Sequence, residues 1–276
     1  MVIPVFNQVH LTERCLDSLL AHRAEGSPAL KARVDAQPDF LATRHLVIVD
    51  NHSTDSTPDV LARYKVLFER QGWKWTLLRN SENVGFGRAM NQGFNATQAP
   101  FVALLNNDTW LMPGWDQVLL RRIQELQADM IGPYYDETPF EKNSTLEKSK
   151  KFIQKNRNRY RPAWVSILML FKRESFEKIG KFDERFFLTF EDTDLRERMD
   201  RAGMKYYQVA DCFIWHHSKG TRGAKENLNV IPNTYEQEGL RLFQEKWGFD
   251  PRKREQKRLA RLKRRWEKIK VSMQWF

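Results

Sequence analysis

The stretch Phe101 to Trp115, FVALLNNDTWLMPGW, changes character in its middle. Five residues suited to a buried strand run directly into Asn106, Asn107 and Asp108, short polar side chains that cannot pack in a core. The same change recurs upstream. Met1 to Phe6 is an apolar strand pattern followed by Asn7 and Gln8, and His45 to Val49 is followed by Asp50, Asn51, His52 and Ser53. Trp75 to Leu78 leads into Asn80, Asn83, Gly85 and Gly87. Between these strands the apolar residues recur at helical spacing, as in Leu11, Cys15, Leu19 and Leu20, or Ala89, Met90 and Phe94. After the second strand, Thr57 is expected to cap a helix with Pro58 in its first position. Strands alternating with helices predict an α/β fold on a mainly parallel sheet, and ligands in such sheets bind beyond the carboxyl ends of the strands.

That rule sends four polar clusters to one rim, which makes a polar pocket the economical reading. Pro4 and Asn7 belong to the first strand end, Asp50 and Asn51 to the second, Asn83 and Gly85 to the third, and Asn106 and Asn107 to the fourth. Asp50 suits a base N–H or a ribose hydroxyl, because a carboxylate only accepts hydrogen bonds and can take several. The glycines of NVGFG fall where the backbone must approach a ligand or a neighbouring helix closely. Taken alone, Asn-Asn-Asp is equally readable as a turn closing a strand.

At 276 residues the chain can bury a sizeable core. The longest apolar run, Val165 to Phe171 around Ser166, falls well below the roughly 18 residues of a membrane-spanning helix. With MVIPVF opening directly on a strand pattern, a cytoplasmic location is expected. Cys15 and Cys212 are expected to be reduced and buried. The formal charge of +11 implies an acidic partner, and much of it lies between Arg252 and Lys270, where eleven basic residues face only Glu255 and Glu267. In that tail Leu259, Leu262, Trp266, Ile269 and Met273 recur at spacings of three and four, the pattern of a basic amphipathic helix. Residues 246–276 are read as that extension, apart from a domain spanning 1–245. Nucleic acid is not the expected partner, since the basic residues concentrate away from the polar strand ends and no zinc or RNA-binding signature accompanies them. Pro133 to Arg161 is Lys-rich and weakly patterned, and is expected to be a mobile flap; Ala163 to Lys172 returns to strand character. Glu25 to Arg44 is read as a surface excursion.

Further on, FLTFEDTDL sets Glu191, Asp192 and Asp194 at the start of a helical stripe of Leu195, Met199 and Ala202. Acids there complement the helix dipole, which is the expected role of Asp194. CFIW then runs into His216 and His217, and strand alternation puts them on opposite faces without choosing between them.

Taken together, MVIPVFN, VDNHSTDST, NSENVGFGRAMNQG, LLNNDT, FDERFFLTFEDTDL and WHH resemble a family 2 glycosyltransferase of the GT-A fold. Bacterial enzymes of surface polysaccharide synthesis, rhamnosyltransferases among them, are the style of member they resemble. The resemblance covers about residues 1 to 220. It implies a Rossmann-like mixed sheet flanked by helices, and an inverting transfer from a UDP- or dTDP-sugar to a glycan or lipid-linked acceptor. Asn106-Asn107-Asp108 would stand at the family's Asp-x-Asp motif, so Asp108 would hold Mg²⁺ or Mn²⁺ against the donor diphosphate. The departure is Asn106 at the usual first Asp. Asp192 would be the base with Glu191 beside it, and His216 is favoured over His217 to complete the metal site. Lys219, Arg222 and Lys225 would cover the diphosphate, and Trp164 would offer a stacking face. A lipid-linked acceptor would draw 252–276 to an anionic membrane surface, placing the chain at the inner face of the membrane as a peripheral protein. The alternatives are a nucleic-acid-binding protein and a non-catalytic glycan-binding relative.

Overall fold

The computed structural model describes residues 1–24, 44–137, 140, 142–217 and 234–254. The 25–43 excursion, the three loop cations after His217 and most of the basic tail lie outside them. Four strands, β1 (Val2–Val5), β2 (His45–Asp50), β3 (Lys74–Arg79) and β4 (Phe101–Leu105), lie in the order β3-β2-β1-β4 and are all parallel. Helices α1 (Val9–Ala24), α2 (Thr57–Arg70) and α3 (Phe86–Asn95) connect them. Beyond β4 the sheet becomes mixed: β8 (Leu168–Lys172) pairs antiparallel to β4 and to β6 (Met130–Asp136), which runs parallel to β9 (Tyr206–His216). The short strands β5 (Thr109–Leu111) and β7 (Tyr160–Arg161) both pair antiparallel to β9.

Residues alternate between two apolar layers, as expected for strands covered on both faces. Ile3, Val5, Leu46, Ile48, Ala103 and Leu105 pack with Leu16, Leu61 and Phe68 of α1 and α2, and with Leu119 and Ile123 of α4 (Trp115–Glu125). Their neighbours Val2, Val47, Val49, Val102 and Leu104 pack on the other side with Met90 and Phe94 of α3. Phe176 of α6 (Arg173–Lys178) and Leu195 and Met199 of α7 (Glu191–Arg201) complete that layer. Phe94 and Phe176 meet edge to face at 4.9 Å, and truncating either to alanine would cost about 3–5 kcal/mol.

Three expectations need correction. Pro133 to Arg161 is not a flap: β6 runs on to Asp136, α5 (Lys142–Lys155) follows, and β7 closes the segment. The reason is a third apolar cluster, in which Leu146, Phe152 and Ile153 cover Trp110, Met112, Phe213 and Trp215, with Tyr134 stacked on Phe152 at 4.1 Å. Thr57 is the first residue of α2 rather than its cap; its amide donates to Asp55 Oδ1 at 3.0 Å. Ala163 to Lys172 becomes strand only at Leu168. Finally α8 (Tyr235–Trp247) lies against α7, and no helix among the described residues is long and apolar enough to cross a membrane.

Candidate active site

Because β1 to β4 are parallel, their carboxyl ends share one rim, and three non-glycine residues there hold left-handed backbones: Asn7, Gln8 and His52. Such conformations cost about 1–3 kcal/mol each and collect at functional turns. Their neighbours hold them in place. Asn7 donates its amide to Ser53 Oγ at 2.9 Å and accepts from the Thr54 amide at 2.8 Å, tying the β1 and β2 ends together. Asp50, 1% exposed, accepts from the Ser53 amide at 2.8 Å and lies 3.5 Å from Arg79 Nε. Asn51 is the hub of the next loop: its Oδ1 accepts from Asn80 Nδ2 and the Val84 amide, both at 3.0 Å, and its Nδ2 donates to Asn83 Oδ1 at 2.7 Å.

These bonds change the reading of several candidates. Asn51 and Asn83 spend their amides on each other and on the loop backbone, so they shape the rim. Gly85, at φ +87°, makes its close approach to the chain itself, since a Cβ there would lie 2.4 Å from the Phe187 carbonyl oxygen. Pro4 lies inside β1, buried and paired with Val49, short of the rim. Asn107 turns away from the rim and donates to Thr12 Oγ1 of α1 at 2.9 Å.

The fourth strand end differs. Asn106 Oδ1 and Asp108 Oδ1 are shielded from solvent and have no hydrogen-bond partner among the described residues. The antiparallel pairing of β5 on β9 matches Thr109 with His216, which brings His216 Nε2 to 3.3 Å from Asp108 Oδ1. That distance is an ion-pair contact without completed hydrogen-bond geometry. His216 Nδ1 meets Glu137 Oε1 at 2.9 Å, while His217 donates its amide to the Asp108 carbonyl and sets its ring 5.8 Å from that of Trp215. Burial pulls the His216 pKa down, but the Asp108 and Glu137 carboxylates outweigh it and the net shift is upward. No group of three His, Cys, Asp or Glu side chains among the described residues is set to hold a metal ion by itself. Asp108 and His216 could form only a partial set for a divalent cation, one hard oxygen and one imidazole, and other ligands would have to complete the shell.

Across from this rim stands the first turn of α7, entered through Phe190 in a left-handed conformation. Its Glu191 is buried, and Asp192 accepts from Thr193 Oγ1 at 3.2 Å. A cleft of about 370 Å³ joins the two sides: Asn106 and Ser166 line one wall, Glu191 and Asp192 another. Asp108, two residues beyond Asn106, lies at the same strand end. A carboxylate facing such a cleft can accept a proton from a bound hydroxyl.

Asp194 does more than complement the helix dipole. Fully buried, it takes Arg198 Nε at 2.9 Å, Lys246 Nζ at 2.7 Å and Trp247 Nε1 at 2.9 Å, fastening α8 to α7. Trp110 and Trp115 are core residues, and Trp164 packs edge to face on Tyr206 at 5.3 Å, outside the cleft lining. Sequence reading missed Glu137, Ser166, Tyr235 and Glu236. The last two had no local signal, although Leu240, Phe243 and Trp247 on the same helix carry helical spacing.

Residues 1–180 match the model of glycosyl transferase family 2. The chain belongs to that family. An N-acetylglucosaminyl-diphospho-decaprenol L-rhamnosyltransferase of Mycobacterium tuberculosis is 25% identical, over 64% of this chain and 68% of its own length. Glycosyltransferase GlyA of Streptococcus pneumoniae is 24% identical over 49% of the chain, which spans only 16% of that protein. Among solved structures, a mannosyltransferase from Pyrobaculum calidifontis in complex with GDP-Man and Mn²⁺ superposes with TM-score 0.57 at 18% identity, covering 78% of this chain and 55% of that one. GalNAc-T7 with UDP, GalNAc and Mn²⁺ gives 0.60 at 15% identity, covering 88% and 47%. These neighbours make the mixed sheet a GT-A fold. The family 2 match ends at residue 180, ahead of α7, His216 and α8, so the cleft wall formed by Glu191, Asp192, Tyr235 and Glu236 lies in the part of the chain beyond it.

Proposed function

We propose that the chain is an inverting, metal-assisted glycosyltransferase that moves a sugar from a nucleotide-diphosphate donor, UDP- or dTDP-linked, to a glycan or lipid-linked acceptor. The observation that carries this reading is the single cleft bounded by Asn106 at the β4 end and by Glu191 and Asp192 at the start of α7. In this reading the β1–β3 rim, with Asp50 buried at its centre, receives the nucleoside. Asp108 and His216 hold the divalent cation, which supplies charge neutralisation to the leaving diphosphate. The shielded, unbonded oxygens of Asn106 and Asp108 fit that role, because a buried oxygen without a partner is costly and a bound cation or ligand donor relieves it. Asp192 accepts the proton of the acceptor hydroxyl as that oxygen attacks the anomeric carbon from the face opposite the diphosphate, which inverts its configuration. Glu191 orients the attack from its place beside the base. The GDP-Man, UDP and Mn²⁺ bound by the structural neighbours, and the diphospho-decaprenol acceptor in the name of the mycobacterial relative, support the same assignment.

The test is Asp192→Asn. Thermal stabilisation by a nucleotide sugar with Mn²⁺ should persist, while transfer falls by about 10²–10⁴-fold, the usual contribution of a general base. Turnover equal to that of the unaltered chain would overturn the assignment.

A further inference from the structure

His216 is held from a side that the proposed reaction does not use. β6 and β9 run parallel, and their register shifts between Pro133 and Tyr134. Pro133 pairs with Val209 and Tyr134 with Phe213, so Ala210, Asp211 and Cys212 are passed over. Those three residues are anchored elsewhere. The Ala210 amide donates to the Arg159 carbonyl at 2.9 Å, Asp211 is buried against Arg122 of α4 at 3.1 Å, and Cys212 Sγ donates to the Trp115 carbonyl at 3.9 Å. The shifted register continues with Tyr135 on Ile214 and Asp136 on Trp215, which sets Glu137 level with His216. Without the shift Glu137 would stand level with Phe213, in the third apolar cluster.

The result is a set of contacts around one imidazole. Glu137 Oε1 lies 2.9 Å from Nδ1, the Tyr135 ring meets the imidazole edge to face at 6.4 Å, and Nε2 lies 3.3 Å from Asp108 Oδ1. An ionised carboxylate accepts and cannot donate, and the Glu137 contact is the shorter of the two. A neutral ring therefore keeps its proton on Nδ1 and its lone pair on Nε2, the nitrogen beside Asp108. We propose that Glu137 is a positioning residue, which fixes the orientation and tautomer of His216 so that Nε2 and Asp108 Oδ1 serve one divalent cation. This rests on the metal assignment above and adds a residue that lies outside the cleft lining and acts through His216. A carboxylate that holds a ligand histidine by its other nitrogen contributes about 10–100-fold to metal affinity. The Glu137 side chain is 44% exposed, which places its share at the lower end of that range.

The experiment titrates Mn²⁺ into the full chain, alone and with UDP or dTDP, and reads its dissociation constant from water-proton relaxation, a measurement that needs no turnover. Glu137→Ala should weaken Mn²⁺ binding by about tenfold. The melting temperature should hold, because the side chain is half exposed just past the end of β6. Glu137→Gln, whose amide oxygen still accepts from Nδ1, should recover most of the loss. In a His216→Ala background Glu137→Ala should add nothing, since the ring through which it acts is gone. A dissociation constant unmoved by Glu137→Ala, a glutamine no better than alanine, or a further loss in the His216→Ala background would overturn the inference. Asp108→Ala and His216→Ala in the same titration separate the two levels. If they weaken Mn²⁺ binding and Glu137→Ala does not, the positioning role alone fails. If neither weakens it, or the unaltered chain binds no Mn²⁺, the metal assignment falls as well.

Discussion

Gly85→Ala tests how the rim is tied to the segment that leads into Asp192. The residue holds φ +87°, and an added Cβ would lie 2.4 Å from the Phe187 carbonyl oxygen and 2.9 Å from its ring. That carbonyl also accepts from the Phe86 amide at 2.8 Å, so it cannot retreat without losing the bond. Gly85, with ψ 169°, lies in a region that is essentially glycine's alone, which costs an alanine about 1–3 kcal/mol. Overpacking adds about 1–3 kcal/mol and the strained hydrogen bond about 0.5–1.5 kcal/mol. Gly203→Ala is the control for a positive-φ glycine in open space, with φ +64° and nothing within 4 Å of its Cβ, so a backbone cost of about 1–2 kcal/mol applies alone. Both variants gain about 0.4–1 kcal/mol from a stiffer unfolded chain, which cancels in the comparison. Gly85→Ala should therefore lose about 1.5–4.5 kcal/mol more than Gly203→Ala from packing and the hydrogen bond, with the difference in backbone cost added to it, in urea unfolding at unchanged m-value. Transfer should fall in Gly85→Ala and hold in Gly203→Ala, since Phe187 directly precedes the cleft residue Leu188. Equal destabilisation of the two variants would refute the close-approach argument.

The metal assignment and a half-buried histidine each yield a prediction. Asp108→Ala should erase the extra thermal stabilisation that Mn²⁺ adds to a nucleotide sugar, whereas Asn107→Ala, which loses only the Thr12 bond, should lower stability by about 1 kcal/mol and keep the Mn²⁺ response; equal Mn²⁺ responses would reject Asp108 as the ligand. His45 bonds the hydroxyls of Thr97 and Thr76 at 3.2 and 2.9 Å, and burial, helped by Lys74, lowers its pKa from 6.5 to about 4. A base with a depressed folded pKa contributes stability that is complete above 6.5 and drains away as pH falls toward 4. His45→Asn should flatten that part of the urea-midpoint profile, and an unchanged slope would exclude His45 as its source.

Most of the parallel half of the sheet was legible because β1, β2 and β4 are buried on both faces and read as apolar runs, so the polar residues at their ends stand out, while β3 at the sheet edge leaves Lys74, Leu77 and Arg79 exposed. The rest depends on contacts distant in sequence. The α5 stripe of Leu146, Phe152 and Ile153 is diluted by lysines and becomes visible only against the Trp110 and Trp215 rings that it covers. His216 could not be chosen over His217 until β5, only three residues long, fixed the register of Thr109 with His216. Tyr235 and Glu236 owe their place in the cleft to the Asp194 clamp, which joins residues 53 apart in the chain.

Residue type at the strand ends identified a rim without separating the side chains that build it from those that serve a ligand. Hydrogen-bond accounting separates them, because nearly all buried polar groups in a folded chain are bonded. Asn51 is bonded at both ends of its amide, Asn83 Oδ1 accepts from Asn51 and from the Gly85 amide, and Asn107 Nδ2 is held by α1, so these bonds preorganise the rim. Among the described residues Asn106 Oδ1 has no hydrogen-bond partner, and Asp108 Oδ1, on the same turn, has only the 3.3 Å ion-pair contact with His216. The same shortage at Trp73 Nε1 and Trp75 Nε1 has no such meaning, since those indoles pack on Phe68 in the apolar layer. At the β4 end the two oxygens stand beside an imidazole and a cleft. In the proposed reading, a bound cation or ligand would relieve the cost of their missing hydrogen bonds, which marks Asn106 and Asp108 at the fourth strand end, rather than the better-bonded asparagines that resemble them in sequence, as the residues to test for ligand contact.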